Sequence, residues 1–160
     1  MQHTNFKQMA AKVFMLTILC STVFAFAAKA GGDVYEIYLN NKLIQKEALY
    51  KPVSLKSLPL SKENYNDQLT IYFFECGKPG KGRSITLKDE KGNILKEWKF
   101  ADAEGTKAGM TIPVKELLAL AKNSNGSISL YYGASGRSQS QILTSLQIDR
   151  KSVASLSPKG

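Results

Sequence analysis

Residues 77–84 read GKPGKGRS, and their G-x-x-x-x-G-R-S spacing differs from a phosphate-binding P-loop at one position, where Arg83 stands in place of lysine. A P-loop works because a strand feeds a glycine-rich turn whose backbone N–H groups, with the N-terminus of the following helix, cradle phosphate oxygens. The strand is present in residues 69–76 (LTIYFFEC). The helix is not, because residues 84–89 (SITLKD) alternate with period two and run into a turn. A nucleotide site is therefore excluded. The stretch reads as an inter-strand loop whose Lys78, Lys81 and Arg83 keep it from pairing with other chains.

Other chemistries fall away in turn. The chain holds one histidine, His3, and two cysteines, Cys20 and Cys76. His3 and Cys20 lie in a leader described below, so a Ser-His-Asp or Cys-His pair is closed to the remainder. A zinc site lacks its usual nitrogen and sulfur ligands. Asp102 and Glu104 alternate before Gly105, but the other ligands of a calcium loop are missing, and the segment reads as a solvated loop. No cofactor is implied. Cys76 has Lys78 and Lys81 nearby, which would lower its pKa if they approached the sulfur. Its strand parity with Tyr72 and Phe74, and the absence of a resolving cysteine, favour an inert, half-buried free thiol. Glu36, Glu47, Glu75 and Glu97 all fall in predicted strands. Glycoside hydrolysis needs two carboxyls at a set separation, and nothing in the spacing selects a pair.

Binding is what remains. Residues 77–83 and 133–140 are two loops of small residues and cations. If they share one end of the domain, Lys78, Lys81, Arg83 and Arg137 form an exposed ligand-binding patch. All seven tyrosines lie beyond residue 30. Aromatic faces with cations suit polyanionic or sugar ligands.

The elements that position these residues begin after the leader. Lys7 and Lys12 precede an uncharged apolar run, residues 13–27, and Ala28-Lys29-Ala30 supplies small residues where a signal peptidase reads. The run is shorter than the ~20 residues of a spanning helix. Leu19 before Cys20 is wrong for lipid attachment. Residues 1–30 are thus a predicted signal peptide cleaved near Ala30, which sends the protein to the periplasm or the exterior with no membrane span. Cleavage removes Lys7, Lys12 and Lys29 and lowers the net charge by three from +9. So modest a charge, and export, disfavour nucleic acid as a partner.

Residues 31–150 form one predicted domain and residues 151–160 a flexible tail. Strands are expected over residues 34–39, 42–49, 53–58, 69–76, 84–89, 94–100, 127–132 and 141–148. Asn40-Asn41 and residues 90–93 supply hairpin turns. Residues 69–76 are apolar on both faces, which predicts a central strand covered on both sides. A short helical turn capped by Ser61 fits residues 60–67. Val114, Leu117, Leu118 and Ala121 fall at helical spacing, with Pro113 suited to the first turn. The fold expected is mostly β: a single antiparallel β-sandwich of about eight strands with one short helix.

The start GGDVYEIYLNNKLI, the stretch C-G-K-x-G-K-G-R-S-I-T-L-K-D and the ending L-x-S-L-x-I resemble small exported proteins of Bacteroidota. The resemblance covers most of residues 31–150. It implies an envelope location and a β-rich fold, and it assigns no activity and no site residue. The functional expectation is an exported, non-enzymatic β-sandwich serving as a binding or structural module of the bacterial envelope or exterior. An envelope protein or an anionic glycan is the expected partner. The alternative is a small exported enzyme using Cys76 or a carboxylate pair.

Overall fold

The computed structural model describes residues 32–49, 55–75, 80–104, 108–122, 124, 126–149 and 151. The predicted signal peptide, Cys76, Lys78 and residues 152–160 of the tail lie outside the described residues. The described elements all belong to the unit Asp33–Gly160. In chain order they are β1 (Val34–Leu39), β2 (Lys42–Ala48), β3 (Ser57–Leu60), a 3-10 turn (Lys62–Asn64), β4 (Gln68–Phe74), β5 (Ser84–Asp89), β6 (Ile94–Lys99), β7 (Met110–Pro113), helix α1 (Val114–Lys122), β8 (Ile128–Gly133) and β9 (Gln141–Ile148).

The strands form two sheets, ordered β2-β1-β4-β7 and β3-β9-β8-β5-β6. Their inner faces meet in one core. Tyr35, Ile37, Leu69, Ile71, Met110 and Ile112 come from the four-stranded sheet, and Ile85, Leu87, Leu130, Tyr132, Leu143 and Leu146 from the five-stranded one; all are buried. Period-two alternation explains this division, because successive side chains of a strand point to opposite faces. The fold is the expected mostly β sandwich, with two differences. It has nine strands, β7 being only the four residues MTIP. One edge is also parallel, with Ser57 opposite Ser145 and Leu60 opposite Ile148. The chain passes from β2 in one sheet to β3 in the other, so no tight hairpin dictates the direction of β3.

Local chemistry fixes the turns. Asn40 and Asn41 have φ of 47° and 64°, as a two-residue hairpin turn requires. Asn40 also ties that turn to β4, since its side chain donates to Asp67 Oδ1 at 2.6 Å and accepts from Gln68 N at 2.9 Å. Asp89 closes the β5–β6 hairpin by accepting from Lys91 N and Asn93 N, while Gly92 takes φ of 84°. Ser61 caps the 3-10 turn by accepting from Glu63 N.

Helix α1 buries the expected four residues, Val114, Leu117, Leu118 and Ala121. Pro113 ends β7 and does not enter the helix, because its ring suits the last position of an edge strand. Glu116 in the first turn complements the helix dipole and accepts a 2.9 Å hydrogen bond from Trp98 Nε1 on β6.

A polar link crosses the core. The buried Tyr35 hydroxyl donates to the Leu143 carbonyl of the opposite sheet. Gln45 Nε2 donates to the Tyr35 oxygen at 3.0 Å and to the Leu143 carbonyl at 3.3 Å. Burial and then the Glu47 charge push the Tyr35 phenol up to about 12, against the Gln45 hydrogen bond.

Candidate functional site

The two cation-bearing loops do share one end of the sandwich. Ser135 N donates to the Lys81 carbonyl at 2.7 Å. The glycines of the loop make that contact possible. Gly82 has φ of +54°, and a Cβ there would sit 2.3 Å from Ser135 Oγ. Its N–H donates to Asp102 Oδ1 at 2.7 Å. Asp102 therefore anchors a backbone amide, and among the described residues no group of three or more His, Cys, Asp or Glu could hold a metal ion.

Replacing Gly82 with alanine is expected to destabilise the domain by about 2–3 kcal/mol through combined strain and overlap. The same change at Gly92, where φ is also positive but nothing lies within 4 Å, should cost only about 1 kcal/mol. Urea unfolding followed by Trp98 fluorescence measures both. Equal losses would mean that the Ser135 contact is immaterial.

Proximity of the loops does not assemble the expected patch. Arg83 is 4% exposed, not open to solvent. Its Nε and Nη2 donate to the Ala101 carbonyl at 2.9 and 2.7 Å, and its Nη1 donates to the Ala108 carbonyl at 2.7 Å. The expectation of an exposed Arg83 is thus corrected, because five fixed donors suit a site rich in carbonyl oxygens better than a solvated surface. Arg137 is half-buried and paired. Its Nη1 lies 2.6 Å from Asp33 Oδ2 and 3.6 Å from Glu75 Oε1. Its guanidinium also stacks 5.1 Å from the Phe73 ring centroid and 5.9 Å from that of Tyr132. The Tyr132 hydroxyl donates to Glu75 Oε1 at 3.2 Å. Burial, followed by the Glu75 charge and this bond, raises its pKa. Of the described cations in the two loops, Lys81 alone is exposed.

The strand carboxylates do not converge either. Glu36 on β1 pairs with Lys46 at 2.9 Å, and Glu47 on β2 pairs with Lys56 at 2.6 Å. Glu75 belongs to the Arg137 cluster, while Glu97 is exposed on β6 of the other sheet. Asp33 and Glu75 do approach a common point, but Arg137 occupies it.

A different surface has the makings of a site. On the outer face of the four-stranded sheet, Glu36 lies opposite Tyr72 and Tyr38 opposite Thr70 across the β1–β4 pair. The Tyr72 and Phe74 rings stand 6.5 Å apart and 12° from parallel. That spacing follows from the two-residue repeat of a strand, ~6.4–6.8 Å. The Tyr38 ring meets Tyr72 edge-on, with centroids 5.4 Å apart and planes at 82°. Tyr38, Tyr72 and Phe74 are each half-buried. A recess of about 260 Å³ opens here, lined by Glu36, Tyr38, Asn41, Thr70 and Tyr72.

The polar groups of this recess are held in place. Lys46 engages Glu36 Oε1 at 2.9 Å, and the Tyr38 hydroxyl donates to Glu36 Oε2 at 2.9 Å. That hydrogen bond is the main reason the Tyr38 phenol titrates above its ordinary value. Thr70 and Thr111 hydroxyls are 3.0 Å apart. The backbone at Gly109 borders the face, since an added Cβ would sit 2.9 Å from Thr70 Cγ2 and 3.1 Å from Tyr72 Cε1.

Residues 69–76 were expected to form a central strand, and the two faces of β4 differ in how far they are buried. β4 is central, between β1 and β7. Its inner residues Leu69, Ile71 and Phe73 are buried, while Thr70, Tyr72 and Phe74 on its other face are half-buried. Sequence reasoning missed the site for that reason. The available signal was Glu36 between Tyr35 and Ile37, which marks the outer side of β1 as wet. The register that sets Glu36 against Tyr72 is not readable from either strand alone. A search with the whole chain matches no protein-family model and no curated protein.

Proposed function

We propose that the chain is an exported, non-catalytic β-sandwich that acts as a binding module, with the outer face of the four-stranded sheet as its ligand surface. The carrying observation is the Tyr38, Tyr72 and Phe74 row on the side facing away from the core. An antiparallel sheet with one solvated face ordinarily presents polar residues there. The half-buried rings pack partly on one another, and a ligand would cover what they leave exposed. Export is supported by the composition of residues 1–30 and by the resemblance to small exported proteins of Bacteroidota. Of the alternative's groups, the described strand carboxylates Glu36, Glu47 and Glu75 are each paired with a cation and Glu97 stands on the other sheet, which disfavours a carboxylate pair.

The expected result is that immobilised protein retains envelope or extracellular material, scored for both protein and carbohydrate. A Tyr38→Ala/Tyr72→Ala double variant should retain less than a tenth as much. Lys81→Ala, which alters the loops at one end of the sandwich, should behave as the parent. Undiminished capture by the double variant would remove the outer sheet face as the ligand surface.

A further inference from the structure

We infer that the edge of β1 beneath β2 is a strand-addition site: β2 detaches from it while the rest of the sandwich stays folded, and an extended segment with apolar residues two positions apart takes its place. The site lies at a sheet edge, not on the outer face proposed above. Three features of β2 and its surroundings point to it.

The first is the core. Among the nine described strands, β2 alone places no hydrophobic residue in the core or against it, whereas β6, also an edge strand, packs Leu95 and Trp98 there. Opposite residues of an antiparallel pair share a face. Gln45 stands opposite Ile37 and Glu47 opposite Tyr35, so β2 turns an amide and a carboxylate toward the interior. Its Leu43 and Ile44 are instead 46% and 36% exposed. Segments that bury little apolar surface are those that open at low cost.

The second is how β2 is held. A register shift between Ile37 and Tyr38 interrupts its ladder with β1. Lys46 pairs with Glu36 and Glu47 with Lys56, but both ammonium groups are more than half exposed, so these pairs add little. The Glu47 side chain is 19% exposed, and its carboxylate regains water when the strand opens. Gln45 is the buried pin, bonded to the Tyr35 oxygen and the Leu143 carbonyl. Just past the strand, Leu49 packs against the core and its N–H donates to the Asp33 carbonyl at 2.8 Å. An extended strand held at both ends has no slack to bow outward. The Leu49 end therefore releases with β2, and the Asn40-Asn41 turn, tied to Asp67 and Gln68, is the hinge.

The third is what stays behind. The Tyr35 hydroxyl keeps its bond to the Leu143 carbonyl without Gln45, and β1 stays paired with β4 from Val34–Phe74 to Leu39–Leu69. Tyr35 and Ile37, wholly buried while β2 is in place, then border an open edge. A strand with apolar residues opposite them buries more apolar area than Gln45 and Glu47 do. A cation between those two residues meets Glu36, as Lys46 does. In strand addition the main chain supplies affinity and the alternate side chains supply specificity. The partner that fits is thus an extended segment of another protein in the pattern apolar–cation–apolar.

Amide hydrogen exchange read by NMR tests the detachment. Successive residues of a middle antiparallel strand bond alternately to its two neighbours. The amides of β1 should therefore divide into a set that exchanges with those of β2 and a set, at least tenfold slower, that exchanges with those of β4. The double variant Gln45→Val/Glu47→Val, which gives β2 apolar inner residues, should slow the fast set at least tenfold. Labelled peptides spanning residues 41–49 test the addition by fluorescence anisotropy. A peptide carrying Gln45→Val and Glu47→Val should bind the parent protein at least tenfold more tightly than the peptide of parent sequence, and a scrambled peptide of the same composition should not bind. The same apolar peptide should bind the double-variant protein at least tenfold more weakly than the parent protein. Circular dichroism checks that the variant is folded.

Two β1 sets that differ by less than tenfold overturn the detachment, and the strand-addition site with it. Detachment without tighter binding of the apolar peptide, or with equal binding of the scrambled one, overturns the site itself. So does undiminished binding to a folded double variant, because a locked β2 leaves no edge to occupy. If the double variant fails to fold, exchange in the parent protein and the three peptides decide.

Discussion

Arg83→Met is expected to lower the stability of the domain by about 3 kcal/mol, a large loss for one side chain. The guanidinium is buried and donates to the Ala101 and Ala108 carbonyls through three of its nitrogen atoms. Methionine would fill much of the volume and leave those carbonyls unpartnered. Removing one side of a buried polar contact costs the desolvation of the other. Arg83→Lys should recover less than half of the loss, because one ammonium cannot span two separate carbonyls as the fork does. The Arg83 carbonyl accepts from Phe100 N at 2.8 Å, just beyond the β5–β6 pairing. The local backbone should therefore hold while Ala101 and Ala108, whose carbonyls lose their partner, loosen. Urea unfolding gives the stability, and limited proteolysis in residues 101–108 reports the loosening. A loss within about 0.5 kcal/mol would mean that water satisfies these carbonyls and that the arginine is not structural.

Tyr35→Phe is expected to cost about 1–3 kcal/mol and to change how stability depends on alkaline pH. Phenylalanine keeps the near-parallel ring contact with Phe73, 6.4 Å away. It removes the hydroxyl that joins the two sheets at the Leu143 carbonyl. Gln45 would retain its 3.3 Å bond to that carbonyl and lose the 3.0 Å bond to the phenol. The pH effect follows from linkage. The folded-state pKa, about 12, lies above the ordinary value of 10.0, so the fold favours the neutral phenol. That contribution is complete below pH 10 and is lost as pH rises through about 12. Tyr132, also raised, acts in the same direction. The parent should thus lose stability steeply above pH 10, and Tyr35→Phe should show a shallower decline. Denaturant midpoints measured between pH 9 and 12 decide it; parallel curves would mean that the phenol ionises as freely in the native state as when unfolded.

Much of the fold was legible in the chain. The Asn40-Asn41 turn, the Ser61 cap, strands β5 and β9 and the buried stripe of α1 all follow from local rules: positive φ, side-chain capping and periodicity. Strand β7 was not legible, because four residues carry too little alternation to separate from a loop. The parallel edge at β3 was not legible either, because direction is free wherever a connection changes sheets. The candidate surfaces divide in the same way. Cation content showed that the loops at residues 77–83 and 133–140 could bind anions. It could not show that Arg83 would turn inward to carbonyls or that Arg137 would meet Asp33, a residue 104 positions away.

What the sequence by itself determined is the class of fold and the chemistry it lacks. Period-two apolar runs between turn residues make two sheets with one core. A P-loop is ruled out because a strand, not a helix, follows residues 77–83. The tertiary structure alone decided which polar and aromatic groups stand together. Glu36, Tyr38, Thr70 and Tyr72 lie on two strands whose register is set by the whole sheet, and no local rule carries that register. Which face of β4 meets the core was likewise decided by the second sheet, since each layer packs one side against it. Residue types are local information; adjacency between strands is a property of the folded chain, and the surface argued for here exists only through adjacency.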